Sequence, residues 1–274
     1  MTSVARAVPP TALADPPAVV RFFKETAAIA QVELRKLFRD PTELFSRAVQ
    51  PVLWLVIFGQ VFSKVRGIPT GNVTYLAFMT PGILAQSVLF TAIFYGIAVI
   101  WERDLGIVHK LLASPAQRTS LVVGKACSAA ARALVQAVII YLIALAMHVD
   151  LRLNLLAVFG VLFSVALGAG IFSMFSLAIA CIVKSRERFM GIGQVLTMPL
   201  FFASSAIYPL AIMPGWLKVV ARVNPLTYLV DALRGLMING GESIHSLPVD
   251  LGVMAVAFLA LATITAKLYP TLVQ

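Results

Sequence analysis

Charge is scarce in this chain: Asp, Glu, Lys and Arg make up 12% of its 274 residues, where soluble domains carry about 25%. Cysteine is scarcer still. Cys127 and Cys181 are the only two, and both lie inside apolar runs, which excludes a disulfide framework and a cysteine-based zinc site. The three histidines, His109, His148 and His245, stand far apart in sequence, so no metal site is expected from them. None of the 12 acidic residues falls in the middle of an apolar segment. Ion-coupled carriers bury a carboxylate or histidine near the membrane midplane to bind the driving ion, so proton coupling through this chain's own residues is disfavoured.

Catalytic signatures are missing too. There is no G-x-x-x-x-G-K-[ST] phosphate loop; Gly124-Lys125 lacks the upstream glycine and the following hydroxyl. Gly191-x-Gly193 is a fragment of a dinucleotide fingerprint, and glycines in membrane helices more often serve close packing. No H-E-x-x-H occurs, and no apolar segment offers a base beside a serine. The chain is expected to be no enzyme, to bind no cofactor itself, and to be passive unless driven from outside. The first 18 residues, rich in Pro and Ala, lack the apolar core of a signal peptide and read as a disordered tail.

What the chain does have is hydrophobicity, 60% of its residues with a mean hydropathy of +0.92. The net charge of +10 would suit nucleic acid on a soluble domain, but the basic residues here fall in the gaps between apolar runs. Six such runs reach or exceed the ~20 residues that cross a bilayer, at about 44–63, 75–100, 121–147, 153–183, 190–211 and 249–269. An all-α integral membrane protein follows. Counted by side, sixteen of the 22 Lys and Arg fall on one face and six on the other, which puts both termini in the cytoplasm. Ahead of the runs, residues 19–39 read as an amphipathic helix. Val19, Phe23, Ala27, Ala30, Leu34 and Leu37 share one face, and Arg21, Lys24, Gln31, Arg35 and Arg39 share the other, a pattern suited to the bilayer interface or to an ordinary soluble helix. Arg132 is placed near enough to the cytoplasmic end of its segment to snorkel.

Between the second and third runs lies a polar cassette, WERDLGIVHKLLASPAQR (101–118), on the cytoplasmic side. Leu105, Val108 and Leu112 recur at i, i+3 and i+7 with Leu111 alongside; Glu102, Arg103, Asp104 and Lys110 surround them, and Ser114-Pro115 would stop the helix. Such a ridge can seat in a partner's groove or merely join two spans, and periodicity leaves the two readings even. Beyond the fifth run, MPGWLKVVARVNP (213–225) is too short to span and too apolar to be solvated, and Trp216 suits an interface. Asp231 and Arg234, three apart, could pair on a helix that Asn224-Pro225 caps.

The cassette pattern E-R-D-x-G-x-x-x-K-L-L-x-S-P, including Gly106 and followed by Gly124-Lys125, resembles the coupling segment of ABC-2 type membrane subunits. NPLTYLVDALRGLM (224–237) is similar to that family's C-terminal signature, here Asn224, Pro225, Tyr228, Asp231 and Arg234. The resemblance covers about 19–270, with a transmembrane domain over 44–270, and is nearest in character to daunorubicin-type multidrug exporter permeases. It implies six spans, a cytoplasmic coupling helix over 102–112 docked on a P-loop ATPase subunit, and short helices within 212–238 that dip into the outer leaflet. It implies a dimer, of self or of a paralogous permease, served by two ATPase copies that bind the ATP and magnesium. It implies a path near the first and fifth spans, where this chain has Gln50, Trp54 and Phe58, and Phe201, Phe202, Ser204, Ser205 and Tyr208; those residues could equally be helix-packing core. The expectation is export of hydrophobic or amphipathic, drug- or antibiotic-like small molecules across a bacterial-type inner membrane. Alternatives are export of a lipid-linked glycan or glycolipid, a secondary carrier, an intramembrane enzyme, and a structural scaffold.

Overall fold

The computed structural model describes residues 17–39, 41–63, 73–113, 117–183 and 185–273. The expected tail up to residue 16 and the Ser114-Pro115 stop lie outside the described residues. Every regular element among the described residues is helical. In chain order these are α1 (Ala18–Arg39), α2 (Pro41–Leu53), α3 (Gly59–Ser63), α4 (Tyr75–Asp104), α5 (Ile107–Ala113), α6 (Arg118–Ala146), α7 (Leu155–Ile182), α8 (Arg186–Phe202), α9 (Gly215–Val223), α10 (Pro225–Met237) and α11 (Leu247–Leu268). A π turn, Trp54–Phe58, joins α2 to α3. It follows Pro51, which has no N–H for the helical ladder.

Four helices are long and apolar enough to cross a membrane: Tyr75–Asp104, Arg118–Ala146, Leu155–Ile182, and α11 with its extension to Leu272. A shorter apolar helix covers Ala48–Phe62. The fifth expected crossing, 190–211, takes a different form. Helix α8 has 17 residues and ends at Phe202, and the chain turns from Ala203. Among the described residues, four helices rather than six therefore meet the requirement for a crossing.

Helix α7 is central, packing on α4, α6, α10 and α11. In α6 the buried face is a stripe of small residues, Ala126, Ala129, Ala133, Ala137 and Ala144, interrupted by Ile140. Alanine at this spacing lets backbones approach closely, which is how helices associate where lipid is as apolar as the protein. The outward faces stay apolar: Val138 and Leu142 on α6, Phe159 and Phe163 on α7, and Val256 and Leu259 on α11 are all exposed. A contiguous surface of this kind is at home in hydrocarbon and not in water. Core packing is densest along α4, where Met79, Ile83, Leu84, Val88, Leu89 and Ile93 are fully buried.

Helix α1 lies along α6. Thr26 and Glu33 are its buried side chains, while Val19 and Phe23 of the apolar stripe face outward, 65% and 63% exposed. The first part of the stripe, Val19 to Ala27, is thus free for a surface other than this bundle.

Candidate functional site

Two sites of concentrated polarity lie at opposite ends of α4. The first gathers Glu33 from α1, Tyr95 and Glu102 from α4, and Lys125 from α6. All four are buried. Lys125 Nζ donates to Glu102 Oε2 at 2.5 Å and stands 3.7 Å from Glu33 Oε1. Tyr95 donates its hydroxyl to Glu33 Oε2 at 2.9 Å. Arg132 lies about two turns further along α6, its guanidinium 4.9 Å from the centre of the Tyr95 ring, and donates to Ser128. It is buried within the bundle, and its guanidinium turns back one helical turn towards the start of α6 to reach Ser128. A lone charge here would be costly to desolvate, and the alternation of acid and base offsets that cost.

The cassette is built over this cluster. Helix α4 ends at Asp104, Gly106 takes φ +72°, and α5 begins at Ile107. A left-handed backbone suits glycine, which has no Cβ to clash. Residues 102–112 are therefore two helices around a turn rather than one continuous helix, and Leu105 sits in the turn, 67% exposed. Val108 is buried against Val99, Leu121 and Tyr269, with Leu111 and Leu112 partly buried beside that group. Glu102 faces inward to Lys125. Ile107, His109 and Lys110 remain exposed with Leu105.

Asp104 links this end to α8. Its Oδ1 accepts from Arg103 at 2.9 Å and its Oδ2 from Arg186 at 2.7 Å. The Arg186 guanidinium also lies 3.5 Å from the centre of the Trp101 ring, a cation–π stack. Bonds from Arg103 first, and Arg186 second, hold the Asp104 carboxyl below its ordinary range. Glu25 likewise ties α1 to the entry of α6, accepting from the Gln117 N–H and from Arg21 Nε, each at 2.8 Å. Those bonds, the Gln117 N–H foremost, lower its pKa. A lowered pKa means a contribution that is full at neutral pH and lost as pH falls through the folded value. In thermal melts the wild type should stand above Glu25→Gln at pH 7, with the gap closing below about pH 4.

At the other end, α8 hands over to α10 through Asn224. Its Oδ1 accepts from the Leu226 N–H at 3.0 Å, capping α10, while its Nδ2 donates to the Leu200 carbonyl at 2.7 Å. One amide thus serves the start of one helix and the end of another, and Pro225 follows at the first helical position. Asp231 and Arg234 are both buried, yet they form no ion pair with each other. Arg234 donates to the Ser205 carbonyl at 2.7 Å and lies 3.9 Å from the centre of the Phe78 ring. Asp231 turns to the following loop, accepting from the Ile244 and His245 N–H groups at 2.8 Å each. Tyr228 donates to the Arg222 carbonyl.

The residues proposed for a path meet in part. Trp54 stacks on Phe58 at 4.3 Å and meets Phe201 edge-on at 6.2 Å, while Phe201 touches Phe202. Gln50 lies apart from them. It lines a cavity of about 240 Å³ between α2 and α4 with Ser46, Gln86, Ser87, Thr91 and Phe94. Ser204 and Ser205 are buried in the turn after α8, and Tyr208 donates to the Phe202 carbonyl. Sequence reading missed Lys125 as the partner of Glu102 and of Glu33, missed the bond of Tyr95 to Glu33, and missed the approach of His245 to Asp231. A residue spacing carries no signal for either; the acids at positions 33 and 102 were visible only as isolated charges flanking apolar runs.

In sequence the chain is similar to several transport permeases. A transport permease designated ycf38 from Porphyra purpurea is 29% identical over 231 residues, 82% of this chain and 78% of that protein. Its counterpart from Cyanophora paradoxa is 30% identical over 78% of this chain and 74% of its own length. The daunorubicin resistance ABC transporter permease protein DrrB1 of Streptomyces coeruleorubidus is 25% identical over 84% of this chain and 80% of that protein. Residues 24–238, which include the Glu33–Lys125–Glu102 cluster, the cassette over it and the Asn224–Arg234 segment, match the ABC-2 type transporter family, and the chain belongs to it as a membrane permease of the kind that works with a separate ABC ATPase.

Proposed function

We propose that this permease exports hydrophobic or amphipathic small molecules, and that it takes its motion from two ATPase subunits through the α4–α5 turn. The observation that carries the reading is the buried Glu33–Lys125–Glu102 cluster directly behind that turn, joining α1, α4 and α6. A load on α5 would reach three helices at once, because separating any of them breaks a desolvated ion pair. Leu105, Ile107, His109 and Lys110 offer the partner an apolar and basic surface. The ATP and magnesium would be held by that partner.

In this reading the permease has six crossings, the α2–α3 segment and α8 supplying the first and fifth, with both termini in the cytoplasm. Two copies pair to enclose the path. Aromatic rings at Trp54, Phe58 and Phe201 beside the amides and hydroxyls of the Gln50 cavity suit cargo with apolar and polar parts. The name of the Streptomyces relative supports a drug-like cargo. Helix α1 lies in the interface, its outward Val19 and Phe23 meeting lipid, and α9 with α10 dips into the outer leaflet.

The test is a reconstituted permease–ATPase complex carrying Leu105→Glu or Lys110→Glu. Both positions are exposed, so membrane insertion and melting temperature should stay within the wild-type range while stimulated ATPase activity falls about tenfold or more, a loss of at least about 1.4 kcal/mol in coupling. Unchanged stimulation in both variants would overturn the role given to this surface.

A further inference from the structure

Asp231, His245 and Asp250 come from three different stretches, α10, the loop after it and the first turn of α11. One ligand atom from each lies within 4.8 Å of the others. His245 Nδ1 stands 3.2 Å from Asp231 Oδ2 and 3.7 Å from Asp250 Oδ1. Both carboxylates are fully buried. Asp250 has no hydrogen-bond partner on either oxygen, although its side chain points into the group. A buried carboxylate without donors is unfavourable in a folded protein unless something else neutralises it. Among the described residues no lysine or arginine pairs with it.

We propose that these three residues form a binding site for a divalent transition-metal ion, zinc by the donor set. Ligand bonds of 2.0–2.2 Å around a tetrahedral zinc put the ligand atoms about 3.4 Å apart. Two of the three edges, 3.2 and 3.7 Å, bracket that value, and the third lies within 4.8 Å, so a small closing of the two carboxylates would complete the set. One imidazole nitrogen with two carboxylates suits zinc; calcium and magnesium want an all-oxygen shell with more ligands. Three protein ligands leave the fourth position to water, and His245 is partly exposed, which gives the ion a way in. The supporting contacts are already built. Backbone N–H groups of Ile244 and His245 orient the Asp231 carboxylate, and the Tyr228 ring lies 5.4 Å from the imidazole. Fixed outer contacts of this kind hold metal ligands in place. Binding displaces any proton on His245 Nδ1 to solvent, and the imidazole keeps its other N–H. The ion would clamp α10 to the start of α11, at the end of the bundle remote from α5.

The experiment uses the full chain, purified without a histidine tag in lipid nanodiscs, with zinc chloride as the probe. Metal analysis after desalting should find a single bound zinc per chain, and zinc should raise the melting temperature where magnesium does not. His245→Gln and Asp250→Asn should each weaken zinc binding by more than about tenfold, since outer-shell changes alone reach that size. Asp250→Asn should also melt no lower than wild type in chelator, because it removes an unneutralised buried charge. Should Asp250→Asn fail to insert, His245→Gln in its partly exposed loop decides alone. Failure of the wild type to retain zinc, or retention unchanged in His245→Gln, would overturn the proposal. Neither readout involves transport or ATPase activity, so the site and the exporter reading stand or fall separately.

Discussion

Lys125→Met should destabilise the permease by about 3–5 kcal/mol, the usual range when one partner of a buried ion pair is removed. Methionine roughly matches the lysine stem, so the loss is electrostatic rather than a packing defect. Glu102 and Glu33 would then face each other in a buried site without the cation that now lies 2.5 and 3.7 Å from them. The check is built into a series. Adding Glu102→Gln to Lys125→Met removes one of the two like charges and should recover a large part of the loss, and a further Glu33→Gln should recover more. Thermal or denaturant unfolding in nanodiscs would report each step. If Lys125→Met alone stays within about 0.5 kcal/mol of wild type, as a surface change would, the cluster does not hold α1, α4 and α6 together.

The second large effect belongs to Gly82. A Cβ at this position would lie 2.1 Å from the Ala206 carbonyl oxygen and 2.7 Å from its carbon. Both are backbone atoms, so no side chain can swing aside. Gly82→Ala must push α4 away from the turn after α8, at about 3 kcal/mol, the upper end of the overpacking range. That turn also carries the Ser205 carbonyl to which Arg234 donates and the Ile207 carbonyl to which Tyr75 donates. Displacing it should loosen both bonds together. Gly191→Ala is the matched control: its Cβ would meet open space, and alanine is the better helix former. Its melting temperature should equal or exceed wild type, while Gly82→Ala falls. A Gly82→Ala protein as stable as the control would mean the α4 contact is not close.

Much of the architecture was legible because apolar length is a local property. The runs at 75–100, 121–147, 153–183 and 249–269 coincide with α4, α6, α7 and α11. At 190–211 the apolar run is longer than its helix: its Ser204–Tyr208 portion is apolar enough to continue a helix, yet the chain turns after Phe202. Helix α8 ends at Phe202, and the Asn224 amide arrives from 24 residues downstream to take the Leu200 carbonyl, a contact no local pattern announces. The cassette failed differently. Gly106 stood in plain view, but a heptad-like spacing of leucines outweighed it, and the left-handed turn there splits the ridge. Asp231 and Arg234 satisfied the helical pairing rule by number alone. The fold gives each a backbone partner instead, since loops and turns at that end supply N–H and carbonyl groups that the helices cannot use.

Helix α4 holds 30 residues, which at 1.5 Å each is about 45 Å. Hydrocarbon is only about 30 Å deep. Some 15 Å of this rod, or rather less with tilt, must therefore stand among headgroups and water. With Tyr75 and the apolar residues after it at one tip, the surplus falls on the tip that bears Glu102 and Asp104, so the salt-bridged knot is raised to a depth where ions are tolerable.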